Sequence, residues 1–106
     1  MSQAKKNALE EGLKKLMQAA RPEMLRRLSV VEEAAKTLRS GDLRKDIRKP
    51  AHAEAHKLAG VLGTYGLLDA SRAAHGLEVM LEKPQSKDVE RMFVLIGEVR
   101  SAVEGK

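Results

Sequence analysis

Ala51-His52-Ala53-Glu54-Ala55-His56-Lys57-Leu58-Ala59-Gly60-Val61-Leu62-Gly63-Thr64-Tyr65-Gly66 is the stretch on which fold and chemistry both turn. At about 100° per residue on an α-helix, Ala51, Ala55, Leu58, Leu62 and Tyr65 gather on one face, with Ile47 just upstream. His56, one step from Ala55 and two from Leu58, falls on the shoulder of that helix, at the boundary between core and water. His52 and Gly60 lie one turn to either side and Gly63 one turn further on, so the track after His56 is nearly bare of side chains. A glycine inside a helix costs about 1 kcal/mol relative to alanine. Access of another molecule to the imidazole is one return on that cost, and close helix–helix packing is the other. Pro50 predicts either a kink or a helix start near residue 49. Gly66 ends the segment.

Working outward, the same helical period continues in both directions. Upstream, Leu9, Leu13, Leu16 and Ala20 recur at four- and three-residue steps, until Pro22 predicts a new helix or a kink. Met24, Leu28, Val31, Ala35 and Leu38 then follow the four-three alternation of a bundle seam. Gly41 suits a left-handed cap, and Asp42 an N-cap for the next helix. Downstream, Ala70, Ala73, Leu77, Met80 and Leu81 make a stripe that stops at Lys83-Pro84. Ser86 is placed to cap the last helix and Asp88 to face its positive end. Val89, Met92, Phe93, Ile96, Val99 and Val103 form that helix's apolar stripe.

Neither strand-like alternation nor an internal repeat interrupts this pattern, and the connections are short. The expected fold is all-α: an up-down antiparallel four-helix bundle in one domain over 1–106. Bundle helices are expected over 22–40, 43–65, 67–83 and 86–104, with 5–20 as an additional N-terminal helix or the first part of a kinked one.

Composition bounds the function. The 106 residues are 42% hydrophobic and 33% charged, a globular mixture. Phe93 and Tyr65 are the only aromatics, so the core is aliphatic. Without cysteine, disulfides and thiolate metal sites are excluded. No apolar run approaches the ~20 residues of a membrane span, and Met1–Lys6 lacks the apolar stretch of a signal peptide. No membrane association and a cytoplasmic location are therefore expected. The net charge of +5 points to an acidic partner, either nucleic acid or an acidic pocket on a protein.

His56-Lys57-Leu58-Ala59-Gly60, followed by Gly66 and then Leu77-Glu78, resembles the motif of histidine phosphotransfer (HPt) domains. That motif has a leucine two residues after the histidine, glycines at four and ten, and a Leu-Glu or Leu-Gln pair near twenty-two. The stretch Leu62–Leu67 is similar to a common variant of it. The core match covers residues 51–82. The resemblance implies a helical bundle whose histidine takes a phosphoryl group from a receiver-domain aspartate or a kinase and passes it to another receiver. His56 would be the phosphorylated residue, and Glu78 would hydrogen-bond and orient its imidazole. Gly60 would clear the approach, with His52, Ala59 and Gly63 on the partner-access surface. Many members carry lysine three residues after the histidine; here that residue is Ala59, and Lys57 is the cation beside the phosphate instead.

The residue chemistry is compatible. Neutral imidazole is a nucleophile near neutral pH, and a carboxylate on one ring N–H fixes the tautomer. Phosphoryl transfer also needs a metal to neutralise phosphate oxygens. This chain has no glycine-rich nucleotide loop and no acidic pair beside the histidine. It is therefore read as a carrier without intrinsic cofactor rather than an enzyme, with Mg²⁺ held by the partner. The partners implied are receiver domains of response regulators or of hybrid histidine kinases, and a monomer is the simplest state.

Three other readings compete. His52 and His56 at i and i+4 can hold a metal, with His75 as a third ligand, but no recognised ligand set is completed. Arg39, Arg44, Lys45, Arg48 and Lys49, with Arg26, Arg27 and Lys36, make a basic patch for nucleic acid, without stacking aromatics or a DNA-binding motif. An HPt-like docking bundle that carries no phosphate is the third.

Overall fold

A computed structural model of the chain describes residues 3–41 and 43–105. These residues form four α-helices and no strand: α1 (Gln3–Arg39), α2 (Lys45–Thr64), α3 (Leu68–Glu82) and α4 (Val89–Glu104). A single 3-10 turn, Ser86–Asp88, leads into α4. Helix α1 packs on α2, α2 on α3, α3 on α4, and α4 back on α1, which closes a helical bundle. None of the helices is long and apolar enough to cross a membrane, among the described residues.

The core is aliphatic, as composition requires. Met24, Leu28 and Val31 of α1 meet Leu58 and Leu62 of α2, Leu77 and Leu81 of α3, and Met92, Ile96 and Val99 of α4, all essentially inaccessible. Among the described residues no polar or charged side chain is buried with them. Phe93, expected in the buried stripe, is only partly buried; its ring lies under the Arg39 guanidinium, 4.1 Å from the ring centroid.

The structure decides one open alternative and corrects two expectations. First, of the new helix or kink offered at Pro22, no new helix begins there: α1 runs through it without a break. The proline lacks the N–H that would bond the Gln18 carbonyl, and Gln18 is an exposed residue, where solvent can satisfy a carbonyl left without that bond. Second, Leu9, Leu13 and Leu16 are not core. They are 59%, 47% and 61% exposed. A 37-residue helix is about 55 Å long, which accounts for the 54 Å length of a molecule 20 Å across. The shorter helices cannot cover it, and the first part of α1 extends beyond them. Third, Ser86 does not cap α4. The backbone N–H of Gln85 instead donates to Asp88 Oδ2 (3.3 Å), one residue earlier than expected.

Helix α2 starts at Lys45, so Pro50 lies within it rather than near its start. The proposed Asp42 cap lies outside the described residues, and the residue preceding α2 is Arg44, which makes no side-chain cap. The α2 terminus is built as expected around glycine. Gly66 has φ of 76°, its N–H donates to the Gly63 carbonyl, and Leu67 N–H donates to the Leu62 carbonyl, both at 3.0 Å. This paired closure uses a left-handed residue that a Cβ would strain. It turns the chain at once into α3 and so sets the register between the helix bearing His56 and the helix bearing Glu78.

Candidate functional site

Ala55 and Leu58 are fully buried, and they fix the rotation of α2 about its axis. His56 is thereby carried to the outside, with its side chain 73% exposed. On α3, Leu77 and Leu81 are buried in the same way and bring Glu78 to the seam between the helices, where its side chain is only 14% exposed. The two meet: His56 Nδ1 lies 2.8 Å from Glu78 Oε2. An ionised carboxylate only accepts hydrogen bonds, so Nδ1 carries the proton and donates it. The lone pair of the neutral ring then resides on Nε2, which has no partner among the described residues. The arrangement is an outward nucleophilic nitrogen on a ring clamped from behind.

His75, one turn before Glu78 on α3, donates from its own Nδ1 to Glu78 Oε1 at 3.3 Å. One carboxylate thus holds two imidazoles. Burial alone would push the Glu78 carboxyl up; the hydrogen bonds from His56 and His75 and the charges of His56 and His52 outweigh it and hold the carboxyl below its ordinary range. A depressed folded value means that the Glu78 carboxylate favours the folded state above its unfolded pKa. That contribution is lost as pH falls through the folded pKa. His56→Ala removes a hydrogen bond and a charge while leaving the burial. The Glu78 titration, followed by carboxyl carbon NMR, is therefore expected to move upward, and acid unfolding to begin at higher pH; an unmoved titration would mean that the histidines do not set it.

The remaining predicted residues divide. Gly60 is open: nothing lies within 4 Å of a Cβ built there. Gly63 is not, because an added Cβ would meet Ser71 Oγ of α3 at 3.4 Å. Ser71 donates to the Ala59 carbonyl at 2.7 Å, so Ala59 and Gly63 belong to the α2–α3 contact and Gly60 alone belongs to the bare track. His52 is turned into the same seam. Its Nε2 is buried without a hydrogen bond, 3.5 Å from Glu82 Oε1, and its ring is not displayed to a visitor as His56 is.

Lys57 is exposed, with its ammonium 3.8 Å from Glu54 Oε1. The contact is long and the Lys57 end of it exposed, so the flexible stem can swing toward an anion on His56. Glu54 is mainly engaged by Arg27 of α1, at 2.6 Å, so it faces away from both rings. Among the described residues no group of three ligand side chains is arranged to hold a metal ion.

Two contributors escaped the sequence reading. His75 was considered only as a metal ligand, although His75-x-x-Glu78 on one helix is an (i, i+3) pair that spacing alone reveals. Arg48 was counted in the basic patch. Its guanidinium instead donates to the Leu81 and Glu82 carbonyls at the end of α3 (3.1 and 3.4 Å), where terminal carbonyls lack helical partners; nothing in the sequence marks that contact.

No family model matches the chain, and no curated protein or solved structure is significantly similar to it.

Proposed function

We propose that the chain is a histidine phosphotransfer module that carries a phosphoryl group on His56 between receiver-domain aspartates, or from a kinase to a receiver. The observation that carries this reading is the His56–Glu78 pair: an imidazole mostly in solvent whose inner nitrogen is held at 2.8 Å by a largely buried carboxylate of the next helix. A surface histidine without a task needs no such clamp.

In the proposed step, the Nε2 lone pair attacks the phosphorus of an aspartyl phosphate. The N–P bond forms, the acyl O–P bond breaks, and the electron pair leaves with the receiver's carboxylate. Nδ1 keeps its proton, and Glu78 balances the positive charge that the phosphorylated ring gains. The reverse step hands the group to the next receiver. Mg²⁺ on the receiver would neutralise the phosphate oxygens, and Lys57 adds a flexible positive charge nearby. The chain then acts as a carrier without a catalytic centre of its own, in the cytoplasm where receivers work.

The fold proposed with this function is the up-down bundle. Residue pairing supports it, since numbers rise on one helix as they fall on its neighbour. Arg27 meets Glu54, and Tyr65 meets Leu16; His52 meets Glu82, His56 meets Glu78, and Ala59 meets Ser71; Arg39 meets Glu90, Glu32 meets Arg100, and Arg21 meets Val103.

The test is incubation with a phosphorylated receiver domain. Acid-labile, base-stable label on the chain is expected, and its absence across a panel of receivers would leave the phosphate-free docking bundle as the better reading. Glu78→Ala is expected to fold and to transfer roughly tenfold or more slowly, since partners that orient a functional histidine typically contribute about 10–100-fold. An unchanged rate would remove the orienting role. The nucleic-acid reading loses ground, because Arg48 of its basic patch is engaged by carbonyls at the end of α3.

A further inference from the structure

Glu78 accepts a hydrogen bond on each of its oxygens, and the proposed transfer uses only one of them. His56 of α2 donates to Oε2 at 2.8 Å, and His75 of α3 donates to Oε1 at 3.3 Å. Among the described residues these imidazoles are the carboxylate's only donors, and no lysine or arginine reaches it. The His75 ring has no part in the core. Its neighbours Ala74 and Leu77 are fully buried, and the helical period turns the His75 side chain outward, 68% exposed. Its Nε2 has no partner among the described residues, so the bond to Glu78 is its one polar contact there.

Resting on the phosphotransfer reading, we propose that His75 is a positioning residue for His56: its Nδ1–H holds Glu78 Oε1, so that Oε2 stays aimed at His56 Nδ1 and the His56 lone pair stays on Nε2. The need for it lies in the last torsion of glutamate. Rotation about the bond to a carboxylate is broad and roughly two-fold. One hydrogen bond to Oε2 therefore leaves the plane of the group free to turn about that contact. A second donor on the opposite oxygen removes this freedom, because two fixed points hold the plane. The donors do not compete, since they use different oxygens of a group with about four acceptor sites.

The second hold also has a separate origin. His75 and Glu78 stand three apart on one helix, where side chains are neighbours, whereas His56 reaches Glu78 across the α2–α3 seam. The carboxylate is thus set by its own helix, and α2 supplies the imidazole it must orient. A neutral imidazole without an acceptor takes either tautomer, and one of them puts the proton on the nitrogen that must attack. His75 favours the reactive tautomer through Glu78, without contact to phosphorus.

The test compares His75→Leu, which removes the donor and keeps a good helix former, with His75→Gln, whose amide can donate to Oε1. The first readout is the nitrogen NMR resonances of the His56 ring at alkaline pH, where imidazole is neutral. The wild type is expected to show a protonated Nδ1 and an unprotonated Nε2. His75→Leu should draw the two resonances toward each other, and His75→Gln should restore them. The second readout is transfer from a phosphorylated receiver, with helical circular dichroism the same in all variants. Transfer is expected to be severalfold slower in His75→Leu, by less than in Glu78→Ala, and near the wild-type rate in His75→Gln. In the Glu78→Ala background His75→Leu should slow transfer no further, since a residue that acts through another loses its effect once that other is gone. Wild-type His56 resonances in His75→Leu would overturn the proposal. So would further slowing in the Glu78→Ala background, which would set His75 against the receiver itself. The resonances do not depend on transfer: if they move as expected while no receiver labels the wild type, the phosphotransfer reading falls and the hold of His75 on the pair stands.

Discussion

His56→Gln should take up no phosphoryl group from a phosphorylated receiver, while folding as the wild type does. The loss is expected to be complete, because a carboxamide nitrogen has no available lone pair to attack phosphorus. Stability should change by less than about 0.5 kcal/mol, as for exposed positions generally. Glutamine suits this test better than alanine: Glu78 is mostly buried, and removing its partner would leave a carboxylate short of a donor. A glutamine amide can still donate to Glu78 Oε2. His52→Gln and His75→Gln complete the experiment and should both retain label. Label persisting on His56→Gln and disappearing from His75→Gln would move the carrier across the shared carboxylate to α3, and the reading of His56 would fall.

The pairing of His56 with Glu78 illustrates what the sequence could and could not reveal. That His56 stands outside follows from the buried positions of Ala55 and Leu58, which the helical period identified. That Glu78 meets it does not follow from period, because register across two helices depends on the turn between them. Only the resemblance to HPt domains pointed to that pairing, and the Gly66 closure is what realises it. The first part of α1 shows the converse limit. Period located the face carrying Leu9, Leu13 and Leu16, but whether a face is covered depends on the lengths of its neighbours, and α2 and α4 are too short to reach it. Arg48 and Gly63 show a third kind of limit. A basic residue and a glycine each read as parts of a binding surface, and each also makes a contact between α2 and α3 that helical period does not reveal.

Gly60 separates stability from function most sharply. It lies inside α2 with ordinary helical backbone, and no atom stands within 4 Å of an added Cβ. Gly60→Ala should therefore stabilise the bundle by roughly 0.5–1 kcal/mol through helix propensity and lost unfolded-state freedom. Gly60→Arg should fold at least as well as wild type, since arginine is also a good helix former. In the proposed complex, however, Gly60 is the bare spot one turn from His56 over which the receiver must come to bring its aspartyl phosphate to Nε2. A guanidinium and its stem on that spot are expected to slow transfer at least a hundredfold, with alanine slowing it much less. Phosphorylation by a small phosphoramidate should survive Gly60→Arg, because that donor needs only the ring. Loss of receiver transfer with retention of small-donor labelling places the defect in docking. If both survive at the wild-type rate, the receiver approaches from another side and the bare track serves neither packing nor access.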